Sequence, residues 1–276
     1  MIDTHAHINS RDISYFKKEI SCINNLDYLD KIFNIDFDEE TSEEVIAFKK
    51  EISRINNLDY LDKIINVGLD EETNKEVLVI SGNCDKFYCA LGIHPLREGR
   101  VESILELCEF SPNRSRVVAI GETGIDSTGD FIPQAKKFIE TIEIANFLKL
   151  PIIIHANNTN EKILDILKRH PAHHGFVFHC FQPNMFALEE IIRRDGYISV
   201  GKPITRPNAK KSLEAVRNIP LDNLLIELDY PYMSNDPTND GRAVFKKIQE
   251  LRKMEYEELE RALDRNAKRL FKGLRD

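Results

Sequence analysis

The chain opens Met1-Ile2-Asp3-Thr4-His5-Ala6-His7, and His5 and His7 form a pair that metal chemistry can use. Residues i and i+2 of a β-strand point to one face, so the two imidazoles are expected side by side at a strand end. Neutral imidazole is the commonest protein ligand for a borderline divalent cation. Further along, Glu122, His155, His179 and Asp229 each end or follow an apolar run. Taken singly, each has a plainer reading. His155 or His179 could be a hydrogen-bonded core residue, Glu122 a capping or turn residue, and Asp229 a turn former before Tyr230-Pro231. Taken together they suit a metal centre. A structural zinc site would favour closely paired cysteines. Four histidines and two carboxylates suit a two-cation hydrolytic centre, in which one carboxylate bridges ions about 3.5–4 Å apart. Glu122 is the best placed bridge, midway between the early histidines and the later ones.

These residues need a scaffold that gathers strand ends. Apolar runs predict strands at Ile2–His7, Ile64–Leu69, Phe87–Gly92, Val117–Glu122, Pro151–His155, Gly175–His179, Tyr197–Val200 and Leu224–Leu228. Several carry Ile and Val at consecutive positions, as parallel strands buried on both faces do. Between them, Gln134–Leu148, Glu161–His170, Met185–Arg194 and Lys210–Asn218 follow helical spacing. Eight strands alternating with helices predict a single α/β domain over residues 1–276, a (β/α)8 TIM barrel whose C-terminal strand ends build the site. An open doubly wound sheet is the alternative. It is disfavoured because no glycine-rich phosphate loop follows the first strand.

One irregularity interrupts the pattern. The segment Glu19 to Lys31 returns as Glu51 to Lys63 with Arg54 in place of Cys22, an offset of 32 residues. Asp38-Glu39-Glu40-Thr41 returns likewise as Asp70-Glu71-Glu72-Thr73. A ninth strand would break the geometry that closes an eight-strand barrel, so one copy of this duplicated unit is expected outside it. Lys63–Leu69 keeps Gly68 where the other copy has Asp36, and is taken as the barrel strand. Residues 19–50 are then an inserted copy on the outer wall. It is either a neutral duplication or a partner surface.

Composition narrows the class. The 276 residues are 42% hydrophobic and 30% charged, enough for a sizeable core and a solvated surface. No apolar run reaches the length of a membrane span, and charges among the first twenty residues exclude a signal-peptide core. The five cysteines lack a staple-like spacing and read as reduced thiols of a cytoplasmic protein. A net charge of −8 argues against general coating of nucleic acid. It leaves room for a small cationic cleft, and metal ions would add positive charge there.

A wider set of motifs resembles one family. Asp3-Thr-His5-Ala-His7, Gly92-Ile-His94-Pro95, Gly121-Glu122-Thr-Gly124-Ile-Asp126, Ile154-His155, His179-Cys180-Phe181, Gly201-Lys-Pro-Ile-Thr205 and Leu225-Ile-Glu227-Leu-Asp229-Tyr-Pro231-Tyr232 look like the TatD family of metal-dependent hydrolases. Asn266-Ala267-Lys268-Arg269-Leu270-Phe271 resembles its C-terminal signature. The motifs fall in the family's order across nearly the whole chain, the extra repeat unit excepted. The resemblance implies a TIM-barrel hydrolase of the amidohydrolase superfamily and, among members studied as enzymes, divalent-metal-dependent deoxyribonuclease activity on DNA, single-stranded or at 3′ ends. It implies two divalent ions per subunit, one held by His5, His7, Glu122 and Asp229, the other by Glu122, His155 and His179. Mixed nitrogen and oxygen ligation suits Zn, Mn, Co or Ni, with Mg possible at a carboxylate-rich centre.

The chain also departs from that pattern. Leu228 and Tyr230 flank the last aspartate where the family often has Thr and Ala. Ala156-Asn157-Asn158 stands in place of Ser-Arg-Asp, and Gln182-Pro183 in place of Ser-Gly. Candidate ligands are therefore retained while residues facing the substrate have changed. In the expected hydrolysis Glu122 and Asp229 are catalytic, with Asp229 taking the proton of the attacking water. His94 is a substrate contact or a plain turn residue. Lys202, Arg206, Lys210 and Lys211 either meet the phosphodiester backbone or form a solvated helix face. One competing reading is an amidohydrolase acting on a C–N or ester bond of a small molecule. Much of that superfamily bridges its metals with a carboxylated lysine, where this chain has Glu122. Another is a non-catalytic interaction protein, which would not need six candidate ligands.

Overall fold

The structure, a computed structural model, describes residues 1–8 and 43–274, the side chains of residues 43–49 excepted. Eight parallel strands follow one another around one sheet in chain order. They are β1 (Ile2–Ala6), β2 (Lys63–Val67), β3 (Phe87–Leu91), β4 (Val117–Asp126), β5 (Ile152–Asn157), β6 (Phe176–Phe178), β7 (Tyr197–Val200) and β8 (Leu224–Ile226). The helices among the described residues are α1 (Glu43–Asn56), α2 (Glu71–Asn83), α3 (Glu102–Phe110), α4 (Phe131–Leu148), α5 (Asn160–Arg169), α6 (Met185–Arg193), α7 (Lys210–Asn218), α8 (Pro237–Arg252) and α9 (Tyr256–Leu270). The exit of β8 returns to β1. The Asp229 amide donates to the His5 carbonyl at 2.9 Å, and the His7 amide to that of Tyr230 at 2.7 Å. These bonds bring the sheet round to a nearly closed (β/α)8 TIM barrel, as the alternation of runs predicts.

The strands are apolar at consecutive positions because each face meets its own layer. Ile65, Val67, Ile153, Val177 and Leu225 pack into one cluster. Their neighbours Ile64, Ile152, Ile154, Phe176, Phe178, Leu224 and Ile226 pack into a second, with the helices. The period of two survives within an unbroken hydrophobic run. Leu270, Phe271 and Leu274, at and beyond the end of α9, join the inner cluster and close the barrel at its N-terminal mouth. A Cβ on Gly175, just before β6, would meet Leu270 at 2.6 Å. The opposite mouth is left for the site.

Strand β2 belongs to the second copy of the repeat, as the retained Gly68 suggests. A Cβ at position 68 would lie 2.2 Å from Asn74 Oδ1 and 2.9 Å from Asn74 Cα, and the matching residue of the first copy is Asp36. Ile65 is fully buried in the inner cluster, and its counterpart is the bulkier Phe33. By contrast Asn66 is matched by Asn34. Its carboxamide exchanges two hydrogen bonds with the Ile8 backbone, at 2.7 and 2.8 Å, so it does not discriminate between the copies. Of the inserted copy expected at 19–50, residues 19–42 lie outside the described residues. Residues 43–50 begin α1, which runs on into the second copy.

The turn from β2 into α2 is locally determined. Asp70 caps α2, accepting from the Thr73 amide at 3.0 Å, while Thr73 Oγ1 accepts from the amides of Leu69 and Asp70 at 2.8 and 3.0 Å. This reciprocal arrangement satisfies helix-end donors with side chains three residues apart. Gly68→Ala is expected to cost about 1–3 kcal/mol, because the new methyl group must displace the Asn74 backbone. Urea unfolding reads this out, and an unchanged midpoint would mean that Asn74 gives way freely.

Candidate metal centre

His5, His7, Glu122, His155, His179 and Asp229, on or just beyond β1, β4, β5, β6 and β8, meet at the C-terminal mouth. All but the deeper His5 line a cavity of about 510 Å³. Two of them sit where the sheet register slips, between Asp3 and Ala6 on β1 and between Ile120 and Thr123 on β4. Irregularities of this kind re-aim a side chain, here His5 and Glu122. Asp229 occupies the left-handed region (φ 49°), a conformation Asp tolerates better than most residues.

Glu122 is at the centre of the arrangement. Its Oε2 lies 3.5 Å from both His5 Nε2 and His7 Nε2. Its Oε1 lies 2.6 Å from His155 Nδ1 and 2.8 Å from His179 Nε2. Asp229 Oδ1 closes the first group, 3.5 Å from His7 Nε2 and 3.9 Å from His5 Nε2. The two oxygens of one carboxylate thus address two histidine pairs.

Obligate partners fix the tautomers. His7 Nδ1 is 2.9 Å from the Val67 carbonyl. A carbonyl only accepts, so Nδ1 carries the proton and Nε2 turns a lone pair inward. His155 lies between two carboxylates, its Nε2 2.9 Å from Asp126 Oδ2 and its Nδ1 2.6 Å from Glu122 Oε1, so Nδ1 is the nitrogen turned to the centre. His94 is the opposite case. Its Nδ1 accepts from the Leu96 amide at 3.2 Å, so the ring proton sits on Nε2, 3.7 Å from Glu122 Oε1. His94 therefore turns a donor toward the cavity. Lys137 Nζ holds the turn that carries it, donating to the carbonyls of Arg97 at 2.6 Å and His94 at 3.4 Å.

The electrostatics follow from burial and crowding. Burial alone would raise the Glu122 carboxyl, but the charge of His179 and hydrogen bonds from His155, His179 and His5 hold it well below its usual value. Burial opposes protonation of His179 too, and Glu122 outweighs it, so His179 stays protonated well above the usual range. Burial and the neighbouring His179, stacked 4.2 Å away, keep His5 low. Burial pushes His94 down to about 4, with Glu122 only partly compensating. Asp229 is held low against its burial by His7, His5 and His179.

The set of donors fits divalent cations. Ring nitrogens of His7 and His155 face the oxygens of Glu122 and Asp229, and a cation can replace the protons that such a cluster would otherwise share. His5, Glu122 and His179 bring ligand atoms close enough for one ion, as do His5, His7 and Asp229; His94, Glu122 and His155 are equally close, although His94 turns a donor to that group.

Three supporting carboxylates carry no role in the sequence reading, although they stand inside its motifs. Asp126 orients His155, and burial, which would raise its carboxyl, is outweighed by Thr128, His155 and Asn157. Glu227 is fully buried, accepts from the Cys180 amide at 2.6 Å and from Ser199 Oγ, and lies 3.8 Å from His179 Nδ1. Asp3 accepts from the amides of His5 and Leu228 at 3.2 and 3.0 Å, tying β1 to β8. The available signal was spacing, since Glu227 and Asp3 each stand two residues before a candidate ligand. Arg97, to which no motif assigns a role, is a cation on the cavity wall. Lys202 and Arg206 are placed elsewhere. Lys202 Nζ pairs with Asp240 at 2.9 Å, and Arg206 is exposed on the approach to α7; neither lines the cavity.

Comparison with known proteins agrees with this geometry. The family described as TatD related DNase matches residues 2–272. The chain belongs to this family. It is a metal-dependent hydrolase of the TatD family, in line with the motif resemblance. It is 37% identical over 201 residues to YabD of Bacillus subtilis, an uncharacterized metal-dependent hydrolase, covering 68% of this chain and 78% of that one. The crystal structure of YjjV, a TatD homologue from Escherichia coli, superposes with a TM-score of 0.78 at 27% identity, covering 99% of this chain and 98% of that one. A TatD-family hydrolase of Entamoeba histolytica shares the fold, with a TM-score of 0.72 at 18% identity over 99% and 98% of the two chains. No helix among the described residues is long and apolar enough to cross a membrane.

Asp126→Asn is expected to weaken divalent-ion binding about 10–100-fold while leaving the fold intact, as loss of a ligand-orienting carboxylate does. Calorimetric titration of the metal-stripped protein with Zn or Mn measures this. His94 sets an acid-side effect. Its folded pKa of about 4 lies below the unfolded 6.5, so the unfolded chain binds more protons between these values. The associated stability is complete above 6.5 and is lost as the pH falls towards 4. His94→Gln should flatten that limb of a urea-midpoint profile of the metal-free protein, and an unchanged limb would refute the assignment.

Proposed function

We propose that the protein is a phosphodiesterase, a deoxyribonuclease acting on the ends of single-stranded DNA with two divalent ions in its centre. The observation that carries this reading is the division of Glu122, one oxygen toward His5 and His7 and the other toward His155 and His179. Carboxylate-bridged pairs of ions serve displacements at phosphorus by neutralising the attacking and leaving oxygens. The residues that would hold them are His5, His7, Glu122 and Asp229 on one side, and Glu122, His155 and His179 on the other. Ions held there supply Lewis acidity and lower the pKa of water towards neutrality.

The chain's own groups then have separate tasks. Asp229 is ionised at neutral pH because His7, His5 and His179 hold its carboxyl low against burial. Its carboxylate accepts the proton of the attacking water. His94 stays neutral and offers its Nε2 proton to a phosphoryl oxygen. Arg97, on the same wall, offers an anionic backbone a fixed positive charge. Arg206, exposed outside the cavity, serves as a contact further along the strand.

Metal-stripped protein refilled with Mg, Mn or Zn should shorten single-stranded DNA that has free 3′ or 5′ ends. Asp229→Asn should stay folded and lose about 10²–10⁴-fold in kcat, the range for removal of a general base. Cleavage of a bis-ester surrogate without any nucleic acid would move the substrate to a small phosphodiester. Wild-type turnover by Asp229→Asn would remove its assigned role.

A further inference from the structure

Two of the places where this chain departs from the family's motifs are bonded to each other. Gln182 Nε2 donates to Asn157 Oδ1 at 3.1 Å, and Asn158 donates from its main-chain amide to Gln182 Oε1 at 3.2 Å. Asn158 Nδ2 also donates to Asn157 Oδ1 at 3.1 Å. Asn160 Nδ2 holds the Gln182 carbonyl at 3.2 Å, which fixes the main chain beneath the network.

The orientation of these carboxamides is forced. The Asp126 carboxylate can only accept, so Asn157 must turn Nδ2 toward it, at 3.2 Å. Its Oδ1 then faces Gln182, which must present Nε2. Gln182 Oε1 is left to meet the Asn158 amide, an obligate donor. The chain of bonds runs without a break from His155 through Asp126 to the cavity wall. Among the described residues it leaves one N–H of Gln182, one N–H of Asn157, and the Oδ1 and second N–H of Asn158 unspent.

Asn157 and Gln182 line the metal cavity, and Gln182 and Asn158 line an adjoining cavity of about 340 Å³. The amides therefore form a neutral face that leads out of the centre, while in the adjoining cavity the one cation among the described residues, Lys162, stands beside Glu161 and lies 4.9 Å from the centroid of the Phe131 ring. A phosphate is a poor occupant of this face. It would need cationic partners, and it would lie beside the ionised Asp126. A planar group with mixed donors and acceptors fits, because carboxamides can pair with the Watson–Crick edge of an unstacked nucleobase.

We infer that Asn157, Asn158 and Gln182 form a nucleobase subsite, which reads the edge of the unpaired base next to the bond being cleaved. The inference rests on the nuclease reading above and extends it. A base engaged in Watson–Crick pairing has that edge covered, so the subsite selects unpaired ends. It also divides the labour around the centre, with Arg97 taking backbone charge and the amides taking the base.

The test compares single-stranded DNA oligonucleotides of one sequence that carry either a normal residue or an abasic residue on either side of the terminal phosphodiester. The abasic residue keeps the sugar and loses the base. For the wild-type holoenzyme, kcat/KM should be about tenfold higher with the base present at one of the two positions, the scale of one or two neutral hydrogen bonds. In Gln182→Ala the ratio should fall below about threefold, and in Gln182→Glu, which keeps the acceptor and loses the donor, it should fall likewise. Equal wild-type turnover of base-bearing and abasic substrates would assign the face to sugar hydroxyls and overturn the inference while leaving the nuclease reading intact. Discrimination that persists in both Gln182 variants would overturn it too. Failure to cleave any oligonucleotide would overturn both readings.

Discussion

A surplus of hydrogen-bond acceptors at the mouth of the barrel governs the site. Glu122 and Asp229 bring carboxylate oxygens into a space where ring nitrogens of His7 and His155 also converge, the far nitrogen of each ring held by an outer partner that can only accept. Few protons are available to reconcile these groups. In the metal-free molecule His179 keeps one and His5 tends to give one up. Such an arrangement is costly unless positive charge fills it. The strands, their register slips and the supporting carboxylates hold it in place against that cost.

The support is layered. Asp3 ties β1 to the exit of β8, so the strands carrying His5 and Asp229 are set relative to each other by one carboxylate. Glu227 ties β8 to Ser199 on β7 and to the turn after β6. Asp126 ties β4 to His155 on β5. Each link joins neighbouring strands at the mouth, so fixing the ligands and closing the upper end of the barrel are done by the same bonds. His94 stands apart because its Nδ1 is spent on a backbone amide. One hydrogen bond separates a group that would bind a cation from one that can donate to a substrate.

The strands and the six converging residues were legible in the sequence because both depend on local order. An apolar run marks a buried strand, and a polar residue at its end marks the rim. What was not legible depends on lateral distance. Lys202 stands in a promising place, yet its ammonium is held by Asp240 on α8, 38 residues away. Arg97 stands in an undistinguished turn, and its place on the cavity wall follows from Lys137 gripping the carbonyls of that turn. Glu227 looks like an interruption in an apolar strand until Ser199 and the Cys180 amide are found against it. The register slips at His5 and Glu122 were equally hidden, since an alternating pattern does not reveal where a strand skips a residue.

The slot occupied by β2 has a consequence for how such a chain can grow. It tests its occupant at Ile65 and Gly68, through the crowded barrel interior and the nearby Asn74 backbone. A tandem copy that satisfies the slot releases the other from both requirements. Phe33 and Asp36 are residues that such a relaxed copy can accumulate. A closed ring of eight strands can thus draw its second strand from one of two tandem copies without changing its own count.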